Sequence, residues 1–184
     1  MLEELRKEVM DTAQAMSRAG LVVGTDGNVS GKDPESGYIA ITPSGMPYEE
    51  IEVDDIVIVD VEGKVIWGAR KPSWETPMHT YMHEHLDHVR AVMHTHSWYA
   101  TLFALANRDL PPVTMNLAAQ FGRTVRCAPY VRTGSPDMGP VNLEYLGPDG
   151  KGVLLGNHGT LCVARTLSKV LRLSEALEEG AKMA

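Results

Sequence analysis

Two cysteines, Cys127 and Cys162, are too few and too ordinary in context to form a disulfide framework, and neither sits in a zinc-finger spacing. No apolar run approaches the roughly 20 residues that a membrane-spanning helix needs. Bases are outnumbered, with 17 Lys and Arg against 24 Asp and Glu and a formal net charge of −7. That balance argues against nucleic acid or an anionic membrane as the main partner, because both demand a basic face. Internal repeats, low-complexity tracts and Gly/Ser linkers are also missing. Nothing therefore invites a cut in the 184 residues, and one domain spanning 1–184 is expected. The opening Met1-Leu2-Glu3-Glu4-Leu5-Arg6-Lys7-Glu8 lacks the charged-then-apolar layout of a secretory signal. A soluble protein in a reducing cytoplasm is the expectation.

What the chain does have is short elements punctuated by glycine and proline. Leu2, Leu5, Val9, Ala13 and Met16 recur at helical spacing, which predicts a helix from about Leu2 to Arg18 stopped by Gly20. Strands are predicted around Asn28–Ser30, Tyr38–Thr42 and Ile56–Val61, and the turn Val61-Glu62-Gly63-Lys64 leads into Val65-Ile66-Trp67. Thr76 to about Leu86 reads as helix, Val89–Thr95 as strand, and Ser97–Ala106 as helix with Ser97 at the N-cap. Gly152–Gly156 reads as a buried strand and Thr166 to about Lys182 as an amphipathic helix. Early strands closed by helices, then mixed strand and helix, predict a layered α/β domain with a largely antiparallel sheet.

The most informative residues are His94 and His96, which end the run Val89-Arg90-Ala91-Val92-Met93. Strand side chains alternate, so positions i and i+2 face the same way and both imidazoles can reach one metal ion. A catalytic zinc typically takes three protein ligands and keeps one position open. His158, in Gly156-Asn157-His158-Gly159, is the natural third, since flanking glycines free the backbone to aim a side chain into a cleft. The pair alone also fits two exposed or hydrogen-bonded histidines; it is the combination with His158 and a carboxylate that points to metal. That carboxylate is Glu75, at the approach to the second helix. There it is either an acid favoured by the helix dipole or a metal-side proton carrier.

Other candidates weigh less. His79, His83, Glu84, His85 and His88 share a predicted helix, but an H-E-x-x-H site starting at His83 would need histidine where Asp87 stands. A polar helix face is the preferred reading. Arg123, Arg126 and Arg132 fall in one segment and read as a solvated or subunit-facing loop. The loops Gly24–Gly31 and Thr42–Gly45 put small residues where successive N–H groups can surround an anion, with Asn28, Ser30, Thr42, Ser44 and Ser73 as further donors. Each loop alone also fits an ordinary turn.

Six segments in order resemble one known family: Gly24-Thr25-Asp26-Gly27-Asn28-Val29-Ser30, Ile41-Thr42-Pro43-Ser44-Gly45-Met46-Pro47-Tyr48-Glu49, Pro72-Ser73-Trp74-Glu75, His94-Thr95-His96, Cys127-Ala128-Pro129-Tyr130 and Asn157-His158-Gly159. The chain is similar, from first helix to last, to the class II aldolase/adducin family, and within it most closely to the L-fuculose-1-phosphate aldolases. The resemblance implies a three-layer α/β/α fold and a homotetramer with active sites at subunit interfaces. It implies one zinc ion per subunit on His94, His96 and His158, with Glu75 as resting ligand and catalytic acid/base. It further implies that Gly27, Asn28, Ser44, Gly45, Ser73 and Trp74 surround the phosphate of a ketose phosphate. Cleavage of that sugar would give dihydroxyacetone phosphate and an aldehyde.

Three departures stand out. Trp74 replaces a second serine at the phosphate site, and Met115 replaces a tyrosine that assists proton transfer to the aldehyde oxygen, a role Tyr99, Tyr130 or water would have to fill. The chain also stops at the last helix, where relatives often carry a closing tail. Rival readings are an epimerase, dehydratase or decarboxylase on the same metal, and a non-catalytic adducin-like interaction module. Glutamate at 75 counts against the pentulose-phosphate epimerases, which tend to carry aspartate there, and the retained ligand set counts against the module.

Overall fold

Alternation along two central strands sets the architecture. In the computed structural model, which describes residues 1–184, Ala91 and Met93 enter one apolar cluster while Val92, between them, enters another. Cys162 and Ala164 likewise join the first cluster, and Leu161 and Val163 the second. Strands that bury both faces need cover on both, and helices supply it. The strands are β1 (Asn28–Lys32), β2 (Ile39–Ile41), β3 (Val57–Val59), β4 (Val65–Trp67), β5 (Ala91–Thr95), β6 (Cys127–Ala128), β7 (Gly152–Leu155) and β8 (Gly159–Ala164). They form one sheet in the order β4-β3-β2-β1-β5-β8-β7-β6. Every pairing is antiparallel except β6 with β7.

The helices are α1 (Glu3–Arg18), α2 (Thr76–His85), α3 (Trp98–Leu105), α4 (Met115–Phe121), α5 (Met138–Leu146) and α6 (Leu167–Met183). Through Val9, Met16, Ala104, Leu117 and Leu177, the helices α1, α3, α4 and α6 cover the first face. Met78 and Met82 of α2 and Met138 and Leu146 of α5 cover the second. This is the three-layer α/β/α arrangement with a largely antiparallel sheet. Side chains such as Met16 and Leu177 are wholly buried. Each is worth roughly 1.5–3 kcal/mol by transfer from water. No helix is long and apolar enough to cross a membrane.

Local rules place most elements within a residue or two of expectation. The first helix ends before Gly20, which adopts φ 71°, and the β3–β4 hairpin turns through Gly63 at φ 83°. Ser97 is a different matter. It occupies the N-cap position of α3, but its buried hydroxyl makes no capping bond. The carboxylate of Glu178 on α6 caps the helix instead, accepting from Tyr99 N at 3.0 Å and Ala100 N at 2.9 Å. Two acceptor oxygens and a full negative charge at the positive end of the helix outperform one hydroxyl. Four elements, α4, β6, α5 and β8, were not expected. All four are nine residues or fewer, where periodicity carries little signal. Strand β8 was hidden because Gly156-Asn157-His158-Gly159 draws attention as a ligand loop, although it is also the turn of a hairpin.

Replacing Glu178 with alanine should therefore cost about 1 kcal/mol. The thermal midpoint should fall by about 2–4 °C, with Glu178→Gln in between. Unchanged midpoints for both variants in a thermal scan would remove Glu178 as the cap of α3.

Candidate active site and metal centre

Three separated histidines meet because β5 lies beside β8. His94 is the fourth residue of β5, aligned with Asn28 of β1 on one side and Leu161 of β8 on the other. By alternation it shares the α2 side of the sheet with Val92, and His96 follows just past the strand end. The β7–β8 hairpin delivers His158 through a tight turn in which Asn157 takes φ 55° and His158 N donates to Leu155 O at 2.9 Å. Gly159 is required here: a Cβ would collide with the Thr95 carbonyl and stand 2.9 Å from His96 Cδ2 and 3.2 Å from His94 Cε1. Any side chain at 159 would drive the imidazoles apart. One nitrogen from each of the three rings lies within 4.8 Å of the others, a cluster that could hold a metal ion.

Hydrogen bonding decides which nitrogens face the cluster. His94 Nδ1 lies 2.8 Å from the Thr160 carbonyl, which can only accept, so the ring carries its proton there and Nε2 is bare. Burial, then the neighbouring His96, pushes His94 down to about 3. For His158, burial and His94 outweigh the opposing pull of Glu75 and bring it to about 4. Both rings are neutral at pH 7. The bare His94 Nε2 lies 2.9 Å from His96 Nε2 and 3.1 Å from Glu75 Oε2. His158 Nε2 lies 3.4 Å from Glu75 Oε1, which is buried with no hydrogen-bond partner. Electron-rich atoms this close repel one another unless a proton or a cation sits between them. A proton on His96 Nε2 can serve the His94 pair, but it leaves Glu75 Oε1 without a partner, and one metal ion would serve all four side chains. Zn–N bonds of about 2.0–2.1 Å in a tetrahedron set nitrogens roughly 3.3 Å apart; here the His94 and His96 nitrogens are 2.9 Å apart and all three lie within 4.8 Å. The donor set fits a divalent metal.

Glu75 reaches this cluster from the N-cap position of α2, where its side chain makes no capping bond. Asn28 Nδ2 donates to its Oε2 at 2.8 Å, and its own N–H donates to Ser73 Oγ at 3.2 Å. The six residues expected around an anion, Gly27, Asn28, Ser44, Gly45, Ser73 and Trp74, line one cleft of about 460 Å³ together with Glu75, His96 and His158. His94 is fully buried and does not line the cleft, but its Nε2 lies 3.1 Å from Oε2 of Glu75, which does. Gly27 adopts φ 75°, and a Cβ there would stand 2.7 Å from the His94 carbonyl oxygen. Tyr48 pins the preceding loop, its hydroxyl shared between the carbonyls of Asp26 and Gly27 at 2.8 Å each. Burial raises the pKa of that phenol, so it stays a donor.

Several details differ from expectation. The N–H groups of Ser44 and Ser73 are not available to an anion, because they donate to Lys71 O and Thr42 O across a short bridge between Pro43 and Pro72. These serines still offer their hydroxyls, the donors expected of them, while the N–H groups of Gly45 and Trp74 have no backbone partner. The Trp74 side chain is 78 % exposed at the cleft. Asp26 and Thr133 also line the cleft and were not singled out. Asp26 lies in the glycine-rich loop already flagged, with a carboxylate oxygen 3.7 Å from His96 Nδ1; nothing local in sequence marks Thr133. Met115, Tyr99 and Tyr130 do not line it. His79 and His83 are not a solvated polar face: both are fully buried and hydrogen-bonded to Ser30, at 2.7 and 2.9 Å. Helix α2 packs against the sheet with that side, so these two histidines are interior, while His85 on the same helix stays exposed.

Comparison with known proteins gives these features a family. Residues 7–184 match the family described as Class II Aldolase and Adducin N-terminal domain. The chain belongs to the class II aldolase and adducin family. It is 37 % identical over 178 residues to the 5-deoxy-D-ribulose 1-phosphate aldolase of Bacillus thuringiensis serovar kurstaki, covering 97 % of this chain and 83 % of that protein. It is 33 % identical over 193 residues to the L-ribulose-5-phosphate 4-epimerase of Salmonella paratyphi C, covering 100 % of this chain and 85 % of that one. Among solved structures, an L-fuculose 1-phosphate aldolase superposes with a TM-score of 0.91 at 34 % identity, over 98 % of this chain and 84 % of that chain.

The buried His83 makes a pH-dependent stability term. Burial, reinforced by the Lys32 ammonium, pushes its imidazole down to about 3. An unfolded histidine titrates near 6.5, so between about 6.5 and 3 the unfolded chain binds a proton that the native chain refuses. The native state is fully favoured above pH 6.5 and loses stability as pH falls, by up to about 1.4 kcal/mol per unit from this group. Urea midpoints of wild type and His83→Gln should therefore converge between about pH 6.5 and 4.5. Parallel losses in the two proteins would mean that His83 is not held neutral.

Proposed function

We propose that this chain is a zinc-dependent class II aldolase that cleaves a ketose phosphate of the L-fuculose-1-phosphate kind, reversibly, to dihydroxyacetone phosphate and an aldehyde. The observation that carries the reading is the convergence of His94, His96 and His158 on Glu75, whose Oε1 is buried without a partner beside an open cleft. His94, His96 and His158 would hold the metal, with Glu75 as a fourth ligand at rest. When bound, the ion supplies a Lewis acid that draws electrons from the substrate's carbonyl.

Glu75 is the proton carrier. In cleavage the carbon–carbon bond breaks, its electron pair stays on the ketone half, and Glu75 Oε1, having taken a proton from solvent in the cleft, passes it to that carbon. In synthesis the same oxygen removes it. The hydroxyl proton of the aldehyde half has no tyrosine to go to within one chain and passes to solvent in the cleft. The hydroxyls of Ser44 and Ser73, the amide of Asn28 and the N–H groups of Gly45 and Trp74 supply donors for the phosphate, and Gly27 lets the loop approach. The Bacillus relative, a 1-phosphate aldolase by name, supports a substrate of this class.

We also propose a homotetramer. Trp98, Leu102 and Leu105 fall at i, i+4 and i+7 along α3 and stay 52–69 % exposed, with Met115 at 91 % and Met183 at 62 % nearby in the same layer. An apolar stripe of this kind marks an association surface. Sedimentation should give a tetramer for wild type and smaller species for Leu102→Asp; a wild type that runs as a monomer contradicts the assembly.

The chemical reading is tested by a retro-aldol screen of phosphorylated and free ketoses. Glu75→Gln should lower kcat by about 10²–10⁴-fold while the unfolding midpoint holds. Full activity in that variant removes Glu75 from the chemistry. Conversion of L-ribulose 5-phosphate with no aldehyde released would replace the aldolase with an epimerase.

A further inference from the structure

Behind Glu75 lies a line of buried polar side chains of which the proposed chemistry uses only the first, Asn28. Asn28, Ser30, His79 and His83 are each no more than 4 % exposed and run from the carboxylate across β1 and α2. Their proton positions follow one from the next. A carboxylate only accepts, so the NH₂ of Asn28 faces Glu75 Oε2 and its carbonyl Oδ1 faces His79 Nε2, which must carry the hydrogen. A neutral ring protonated at Nε2 has a bare Nδ1, and that atom takes the single proton of the Ser30 hydroxyl at 2.7 Å. The hydroxyl, having spent its proton, can only accept from His83 Nε2 at 2.9 Å. At the far end the Lys32 ammonium donates to the His83 main-chain carbonyl at 2.8 Å.

We infer that Ser30, His79 and His83 are positioning residues that form a one-way hydrogen-bond relay, every donor aimed toward Glu75, holding Oε2 so that Oε1 is the oxygen free to carry the proton. The inference rests on Glu75 as the acid/base of the proposed function. Aligned donors polarise one another in a dry interior, and the negative head and the cationic Lys32 tail complement the line's dipole. Burial keeps His79 and His83 neutral, as the relay requires. A structural filler between strand and helix would be met as well by apolar side chains, which leave no buried donor to satisfy.

Imidazole ¹⁵N spectra of the intact wild-type protein test the direction without any assay: both His79 and His83 should be Nε2–H tautomers with bare Nδ1 at pH 7. A proton on His79 Nδ1 overturns the relay. Kinetics test its use. In His79→Gln the amide nitrogen reaches the place of Nε2 and still donates to Asn28; in His79→Asn the side chain stops short and the donor is lost. His79→Asn should lose roughly 10–100-fold in kcat with KM and metal content little changed, and His79→Gln should recover most of it. Equal kcat in the two variants, or a loss expressed in KM alone, overturns the inference. Should either variant fail to fold, the wild-type tautomers still decide. Glu75→Gln run alongside separates the two failures: full activity there defeats the acid/base assignment, whereas an inactive Glu75→Gln beside equal Gln and Asn variants defeats only the relay.

Discussion

Mutual repulsion among electron pairs is the constraint around which this molecule is arranged. A bare His94 nitrogen, its neighbours on His96 and His158, and both oxygens of Glu75 occupy one buried space, and two of the closest approaches are 2.9 and 3.1 Å. Such atoms stay together only with a proton or a cation between them. The Thr160 carbonyl and Asn28 pull from outside, fixing one tautomer and one carboxylate oxygen, and His96 can serve the His94 lone pair, yet Glu75 Oε1 stays buried without a partner. A divalent cation is the relief that suits this donor set.

The sheet supplies the rigidity this requires. His94 sits on β5, between β1 and β8, with strands hydrogen-bonded on both sides, so its ring cannot drift. The two loop-borne partners are held by small residues whose necessity is steric. Gly159 leaves room for the rings, and Gly27 lets its loop pass close against the His94 backbone. The proposed chemistry thus stands on a strand paired on both sides, while the proposed substrate cleft is walled by loops, the usual division between scaffold and specificity.

Much of this was legible in the chain itself. The alternation of His94 and His96, the glycines around His158 and the placement of Glu75 before a helix each have a local physical meaning, and so does the layered α/β class. What sequence order hides is mainly tertiary. Nothing near Ser97 says that Glu178, far along the chain, will cap its helix. The side of α2 carrying His79 and His83 looks polar, and only packing against β1 reveals that Ser30 takes both rings into the interior. The loop Thr42–Gly45 looked like a run of free N–H groups, but a bridge between two proline-bearing segments claims that of Ser44. The hairpin of β7 and β8 was masked because its turn doubles as a ligand loop. These are cases where one segment carries two duties, and periodicity registers a single one.

The central claim is most directly tested by metal analysis of the purified protein, set beside that of His158→Ala. The account predicts one tightly held divalent ion, zinc, per chain in the wild type and its loss in the variant, with activity following the metal. A wild-type protein that carries no stoichiometric metal, or that turns over equally well after chelation and dialysis, would contradict it.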